Sequence, residues 1–277
     1  MTDKELIHKS LAGDKESLEE LIKAHQIWLY NVAINLTGDT EDAADLMQET
    51  LIKAVTNLSN FAFKSEFRTW LYRILKNTFL NTRRKKQYTQ TIPWTKFGTG
   101  LDTIKDDAKT PYEKVVVEEA KLSCMKGMLL CLTPEQRLVY VMGEMLEIPD
   151  RIGSEVMEIS KANFRKKLSR ARTQLYTFMN EKCGLVNKDN PCRCARKTTG
   201  FIKKGYVNPD NLQFQKNVLL QIEKVLGEKV ERYNDEGQEA YRELFQSHNF
   251  QEPEDRLQSL KQFLSSDAIK KTFELNN

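Results

Sequence analysis

Few side chains in this sequence are typed and spaced for covalent or ligand chemistry. The three histidines, His8, His25 and His248, are scattered, and no Gly-rich phosphate cradle or P-loop occurs. Three carboxylates, Asp42, Asp45 and Glu49, recur at i, i+3 and i+7, so on a helix they share one face. A metal-dependent nuclease would need companions that these acids lack, so they leave no enzyme constellation. The remaining reactive groups are thiols. Cys183, Cys192 and Cys194 lie in EKCGLVNKDNPCRCARKTTGFIKKG, with seven Lys/Arg between Lys182 and Lys204 and one acid, Asp189. Nearby cations favour thiolates. Three uses stay open: idle or buried thiols, a redox pair, or a zinc site completed by Cys124, Cys131 or a distant histidine. No firm cofactor follows.

The carboxylates belong to a stretch whose periodicity is helical. Ala44, Met47, Leu51, Val55 and Leu58 recur at i, i+3, i+7, i+11 and i+14 opposite them, giving one apolar and one acidic face, with Thr40 as the expected cap. A second helix is expected to start at Ser65, with Glu66 in its first turn and Phe67, Leu71, Ile74 and Leu75 as its core stripe. Its outward stripe is Trp70, Arg73, Asn77, Asn81 and Arg84. Between Lys64 and Lys86 stand eight Lys/Arg against one acid. One helix is therefore acidic outward and the next basic and aromatic outward, which implies two different partners. The loop Asn60-Phe61-Ala62-Phe63-Lys64 joins them. Its aromatics either tuck into the core or rim a pocket for an unstacked base.

DAADLMQETLIKA followed by F-x-x-x-S-x-F-R-T-W-L-Y-R-I-x-x-N resembles region 2 of bacterial sigma factors, in the extracytoplasmic-function group of the sigma-70 family. The resemblance implies that the acidic helix docks on core RNA polymerase through Asp42, Asp45, Gln48, Glu49 and Lys53. It further implies that the loop and basic helix open and read the promoter −10 element. From the loop, Asn60, Phe61, Phe63 and Lys64 would contribute. From the helix, the readers would be Arg68, Trp70, Arg73, Lys76, Asn77, Arg83 and Arg84.

Upstream, Thr2 and Glu5 make a capping box for a short helix ending near Gly13, and Asp14 or Ser17 starts the next. That helix places His25 in an apolar stripe, so a packed histidine is expected. From Gln87 to Thr110 the helical pattern fails among Pro93, Gly98 and Gly100, and a linker of about 25 residues is expected. A helix from Tyr112 to about Leu132 follows. Thr133-Pro134-Glu135-Gln136 then forms a second capping box, with a helix to 146, a break at Glu147-Ile148, a helix over 149–157, and a turn at Glu158-Ile159-Ser160. The last helix, KANFRKKLSRARTQLYTFM, has six Lys/Arg and no acid in its first twelve residues. Phe164, Leu168, Ala171, Leu175 and Phe178 form its apolar side. This is a helix-turn-helix rhythm. Lys161, Asn163 and Arg165 stand where base edges are read, and Lys166, Lys167, Arg170 and Arg172 where phosphates are met. L-S-R-A-R resembles region 4 of the same sigma factors, which implies reading of the −35 element. PDRIGSEVMEIS departs from the family pattern by one residue and places Glu158 where glycine usually turns.

At 277 residues the chain can hold more than one small domain, and 30% charged with 40% hydrophobic residues describes a helix-rich protein. No apolar run approaches the roughly 20 residues of a membrane span, and MTDKELIHKS lacks a signal-peptide core. Reduced thiols and a cytoplasmic location are expected. Net charge is +8 over residues 1–209 and −4 over 210–277, with 13 acids and 9 bases in the latter. The expected plan is all-α: a region 2-like domain (1–87), a flexible linker (88–111), and a region 4-like helix-turn-helix domain (112–181). A basic cysteine-containing segment (182–209) and an acidic helical extension (210–277) follow. Partners would be core RNA polymerase, promoter DNA and an anti-sigma or other regulator. The competing reading is a helix-turn-helix regulator that binds duplex DNA without polymerase, with thiol or metal sensing as a further variant.

Overall fold

The computed structural model describes residues 1–82, 91–105, 112 and 114–213, and every regular element among them is helical. Helix α1 (Asp3–Leu11) is capped by Thr2, whose side chain takes the Glu5 N–H while Glu5 returns a bond to the Thr2 N–H. Helix α2 (Lys15–Thr37) starts at the Asp14 cap and ends at Gly38 in a left-handed conformation, φ 76°. Helix α3 (Thr40–Thr56) is capped by Asp39, whose carboxylate accepts from the Glu41 and Asp42 N–H groups. The expected cap, Thr40, is instead the first helical residue, because the Asp39 carboxylate one position earlier accepts from two orphan N–H donors. Helix α4 (Phe67–Thr82) starts later than Ser65 predicts: its first bond runs from the Trp70 N–H to the Glu66 carbonyl.

The 88–111 connection carries structure that the sequence pattern hid. Helix α5 (Trp94–Thr103) follows Pro93, and its buried Gly98 lets the helix approach Phe178 so closely that a Cβ there would stand 3.3 Å from the ring. Glycine reads as a breaker in isolation, but here its missing side chain is a packing surface. Helix α6 (Lys114–Leu130) leads to α7 (Pro134–Tyr140), whose Thr133/Gln136 capping box forms as the sequence predicts. The chain continues through a π-turn at Val141–Met145 into α8 (Asp150–Met157), the turn at 158–160, and α9 (Lys161–Lys182). Helix α10 (Cys194–Lys203) was not signalled by the sequence; it packs on α6. The extension beyond residue 213 lies outside the described residues.

The expected stripes are the core. Ala44, Met47, Leu51, Val55, Leu58, Phe67, Leu71 and Leu75 are all buried, with Ile74 half-buried. One apolar cluster runs without interruption from Leu6 through α2, α3 and α4 into α6, α7, α8 and α9 as far as Val186. The two helical units therefore lie side by side on shared packing. Arg137 fixes this junction. It is fully buried, and its guanidinium donates to the Leu36 carbonyl at 2.5 Å and the Leu129 carbonyl at 2.9 Å. Its Nη2 reaches the Leu130 and Leu132 carbonyls at 3.4 and 3.3 Å. Those acceptors sit at the C-terminal ends of α2 and α6, where carbonyls lack helical partners and a cation is favoured. Burial lowers the Arg137 pKa to about 10, which leaves it charged at neutral pH.

Candidate nucleic-acid interface

The acidic face forms on α3 because the opposite side is consumed by the core. Asp45 and Glu49 are exposed, while Asp42 and Gln48 are half-buried. Lys53 donates to Glu49 Oε1 at 2.8 Å, one turn apart, and to the Thr78 hydroxyl of α4 at 3.2 Å. This tie places the acidic face beside the basic helix. An exposed pair at this spacing contributes only about 0.3–0.5 kcal/mol, so its effect is orientation.

In the loop, the two aromatics divide. Phe61 is buried and packs on Phe67 and Trp70, with ring centroids 5.4 and 5.3 Å away. Phe63 is 40% exposed, stacks on His8 at 4.9 Å, and holds a left-handed backbone at φ 54°. A bulky residue pays for that conformation, on the order of 1–3 kcal/mol. Phe63, and not Phe61, is therefore the ring presented outward. Asn60, Lys64, Arg68 and Asn77 are exposed, and the Arg68 guanidinium lies 5.2 Å over the Trp28 ring. Trp70 is half-buried against Phe61 and Phe67. Arg83 and Arg84 lie outside the described residues.

Two cations that the resemblance assigns to −10 DNA, Arg73 and Lys76, are tied up in ion pairs. Arg73 pairs with Glu155, and Lys76, only 5% exposed at its side chain, pairs with Glu158 at 2.9 Å. Both acids come from α8 and its turn, across the seam. Sequence reasoning missed Glu155, on α8, and Glu158, at its C-terminal cap, as partners of these cations. His25 is buried as expected, but it has a carboxylate partner: Asp3 Oδ1 is 3.1 Å from its Nε2.

In the helix-turn-helix, Glu158 adopts φ 57° and does the left-handed turn that glycine would otherwise make. A Cβ at Gly153 would clash with the Phe164 ring, which sets how α8 crosses α9. Ser160 caps α9 through the Asn163 N–H. Lys161, Asn163, Arg165, Lys166 and Arg170 are exposed, and Lys167 and Arg172 are half-buried. Three of them lean on nearby acids: Arg165 on Asp150, Lys167 on Glu135 at 2.8 Å, and Arg172 on buried Glu144 at 2.5 Å. These acids hold the three cationic side chains against neighbouring segments, while Lys161, Lys166 and Arg170 stay exposed.

The thiols gather without forming a cage. Cys183 and Cys192 pair across an isolated bridge, Cys194 opens α10, and Cys124 projects from α6 into the same packing. Among the described residues, no group of three His, Cys, Asp or Glu is placed to hold a metal ion. Burial pushes the Cys124 and Cys183 thiols up, and Cys131 and Cys194 up to about 12. The neighbouring cations that would favour thiolates are outweighed, because removing a thiolate from water costs more than these screened cations return.

Residues 21–89 match the family model described as Sigma-70 region 2. The chain is 28% identical over 167 residues to RNA polymerase sigma factor YlaC of Bacillus subtilis, covering 60% of this chain and 94% of that protein. It is 26% identical over 179 residues to ECF RNA polymerase sigma factor SigW of the same organism, covering 63% and 95%. A solved chain described as CnrH in complex with the cytosolic domain of CnrY aligns at 19% identity, TM-score 0.49, over 65% of this chain and 97% of that one.

Proposed function

This chain belongs to the extracytoplasmic-function group of the sigma-70 family, and from that premise we propose that it is a promoter-specificity subunit of RNA polymerase. It binds the core enzyme through the acidic face of α3. It opens and reads the −10 element with the 60–64 loop and α4, and reads the −35 element with the N-terminal half of α9. It acts by binding rather than by catalysis, in the cytoplasm where polymerase and chromosome meet. The observation that carries this reading is the order of surfaces along one chain. An acidic helix and a basic aromatic helix lie inside the region 2 match, followed by a helix-turn-helix whose second helix carries six Lys/Arg in its first twelve residues. A regulator working without polymerase needs only the last of these.

The test uses purified core polymerase and the full chain. The double variant Asp45→Lys/Glu49→Lys is expected to lose co-purification with core while keeping its helical circular dichroism, since both side chains are exposed. Undiminished binding of the variant would remove α3 as the docking face. Failure of the unmodified chain to bind core would remove the polymerase reading itself.

A further inference from the structure

The ring that the 60–64 loop presents outward is met by a residue from outside that loop. Helix α1 precedes residues 21–89, the stretch that matches the region 2 family model, yet it delivers His8 onto Phe63. The two rings are stacked, with centroids 4.9 Å apart and planes inclined by 18°. Near-parallel rings in van der Waals contact stand about 3.5 Å apart. A centroid separation of 4.9 Å therefore leaves them offset sideways by about 3.4 Å, the favoured offset stack. The imidazole covers part of the Phe63 face and leaves the rest open beside its own edge, and both residues are exposed. A base stacked on the open part of Phe63 would lie nearly coplanar with the imidazole, its hydrogen-bonding edge toward a ring nitrogen. We propose that His8 is a specificity-determining residue of the −10 site, reading the edge of an unstacked base while Phe63 supports its face. The proposal rests on the sigma-factor reading for the role of the 60–64 loop.

Three observations favour a built reader over an incidental surface contact. The loop holds Phe63 in a left-handed backbone at φ 54° while its ring stays 40% exposed. Burying so open a ring returns little of that strain, so the gain lies in what the ring meets from outside. His8, in turn, stands on a rigid support. Leu6 and Ile7 of α1 are buried, the Thr2–Glu5 capping box fixes the start of the helix, and Asp3 Oδ1 lies 3.1 Å from His25 Nε2 on α2. Helix α1 also packs on the Leu58–Asn60 turn that leads into the loop. A side chain held this way keeps its aim, which selection of one base requires. The chemistry also divides the work. Phe63 accepts the face of any base, whereas a neutral imidazole offers one donor and one acceptor and so tells base edges apart. Asn60 and Lys64 of the same loop are exposed as well, and a lysine there suits the phosphate of the unstacked nucleotide.

The experiment uses core polymerase loaded with the full chain and a pool of single-stranded oligonucleotides randomised over six positions between fixed flanks. Retained sequences are counted for the unmodified chain, for His8→Phe and for His8→Ala. His8 is exposed, so both variants should keep the helical circular dichroism and the core binding of the unmodified chain. His8→Phe keeps a ring against Phe63 but has no nitrogen. At one of the positions that the unmodified chain selects, both variants should lose a preference of roughly three- to tenfold, the scale of one net hydrogen bond. Preferences at the other positions should stay. Unchanged preference in both variants would overturn the assignment. So would an equal loss at every position, the result expected if His8 only buttresses the loop. A loss in His8→Ala that His8→Phe restores would overturn it too, because a ring without nitrogen would then suffice. Failure of the unmodified chain to bind core would remove the sigma-factor reading. Core binding with no base preference at any position would overturn the His8 assignment and spare that reading.

Discussion

At the scale of single residues, burial decides which charged groups stabilise the molecule and which burden it. Arg137 is buried with four carbonyl partners and joins two helix ends. Lys126 is buried within α6, and desolvation lowers its pKa to about 7 against the favourable pull of Glu119 and Asp39. Its folded pKa lies below its unfolded value, near 10.4, so between about pH 7 and 10 the unfolded chain binds more protons. Its contribution to stability therefore rises with pH through that window and is lowest below pH 7. Lys126→Met should stabilise the protein at pH 7 by a few kcal/mol, on the order of the shift at 1.36 kcal/mol per pH unit. The gain should shrink toward pH 10. The buried thiols tilt the curve the other way, so the informative quantity is the difference between the two proteins in urea unfolding at pH 7, 8 and 9. A gain that stays constant with pH would contradict the assignment.

At the scale of elements, the two DNA-reading devices should fail differently. Arg165→Ala on α9 should weaken binding to duplex carrying the upstream element by about 1–3 kcal/mol if it meets a base edge. Phe63→Gly should leave duplex binding intact and fold stability equal or better, since it relieves a left-handed backbone, while promoter opening, followed by permanganate reactivity of unstacked thymines, falls. The same duplex-binding defect in both variants would contradict the division of labour. These elements were also the legible ones. Helices α1, α2, α3, α7, α8 and α9 follow from caps and apolar period, because local hydrogen bonds and one buried face determine them. Helix α5 was hidden by Gly98 and Gly100; the local cost of Gly98 is offset by contact with Phe178 that no short window contains. Helix α10 was hidden among cationic residues and depends on docking against α6. The acids that hold Arg73, Lys76, Arg165 and Arg172 were illegible for a related reason. Ion pairs such as Arg73 with Glu155 span 82 positions, and sequence spacing reports only neighbours on the same helix.

At the scale of the whole molecule, the arrangement is a contest between intramolecular packing and larger outside surfaces. A continuous apolar core and the Arg137 junction hold the units together, whereas a sigma factor at work must span both promoter elements. The central claim is that this chain confers promoter choice on polymerase, and in vitro transcription over sheared genomic DNA tests it most directly. Core polymerase is compared with and without the full chain, and the RNA 5′ ends are mapped. The account predicts start sites that depend on the chain and share a −35-like and a −10-like sequence upstream. Binding of the chain to duplex DNA with no chain-dependent start sites would contradict it and leave a polymerase-independent regulator.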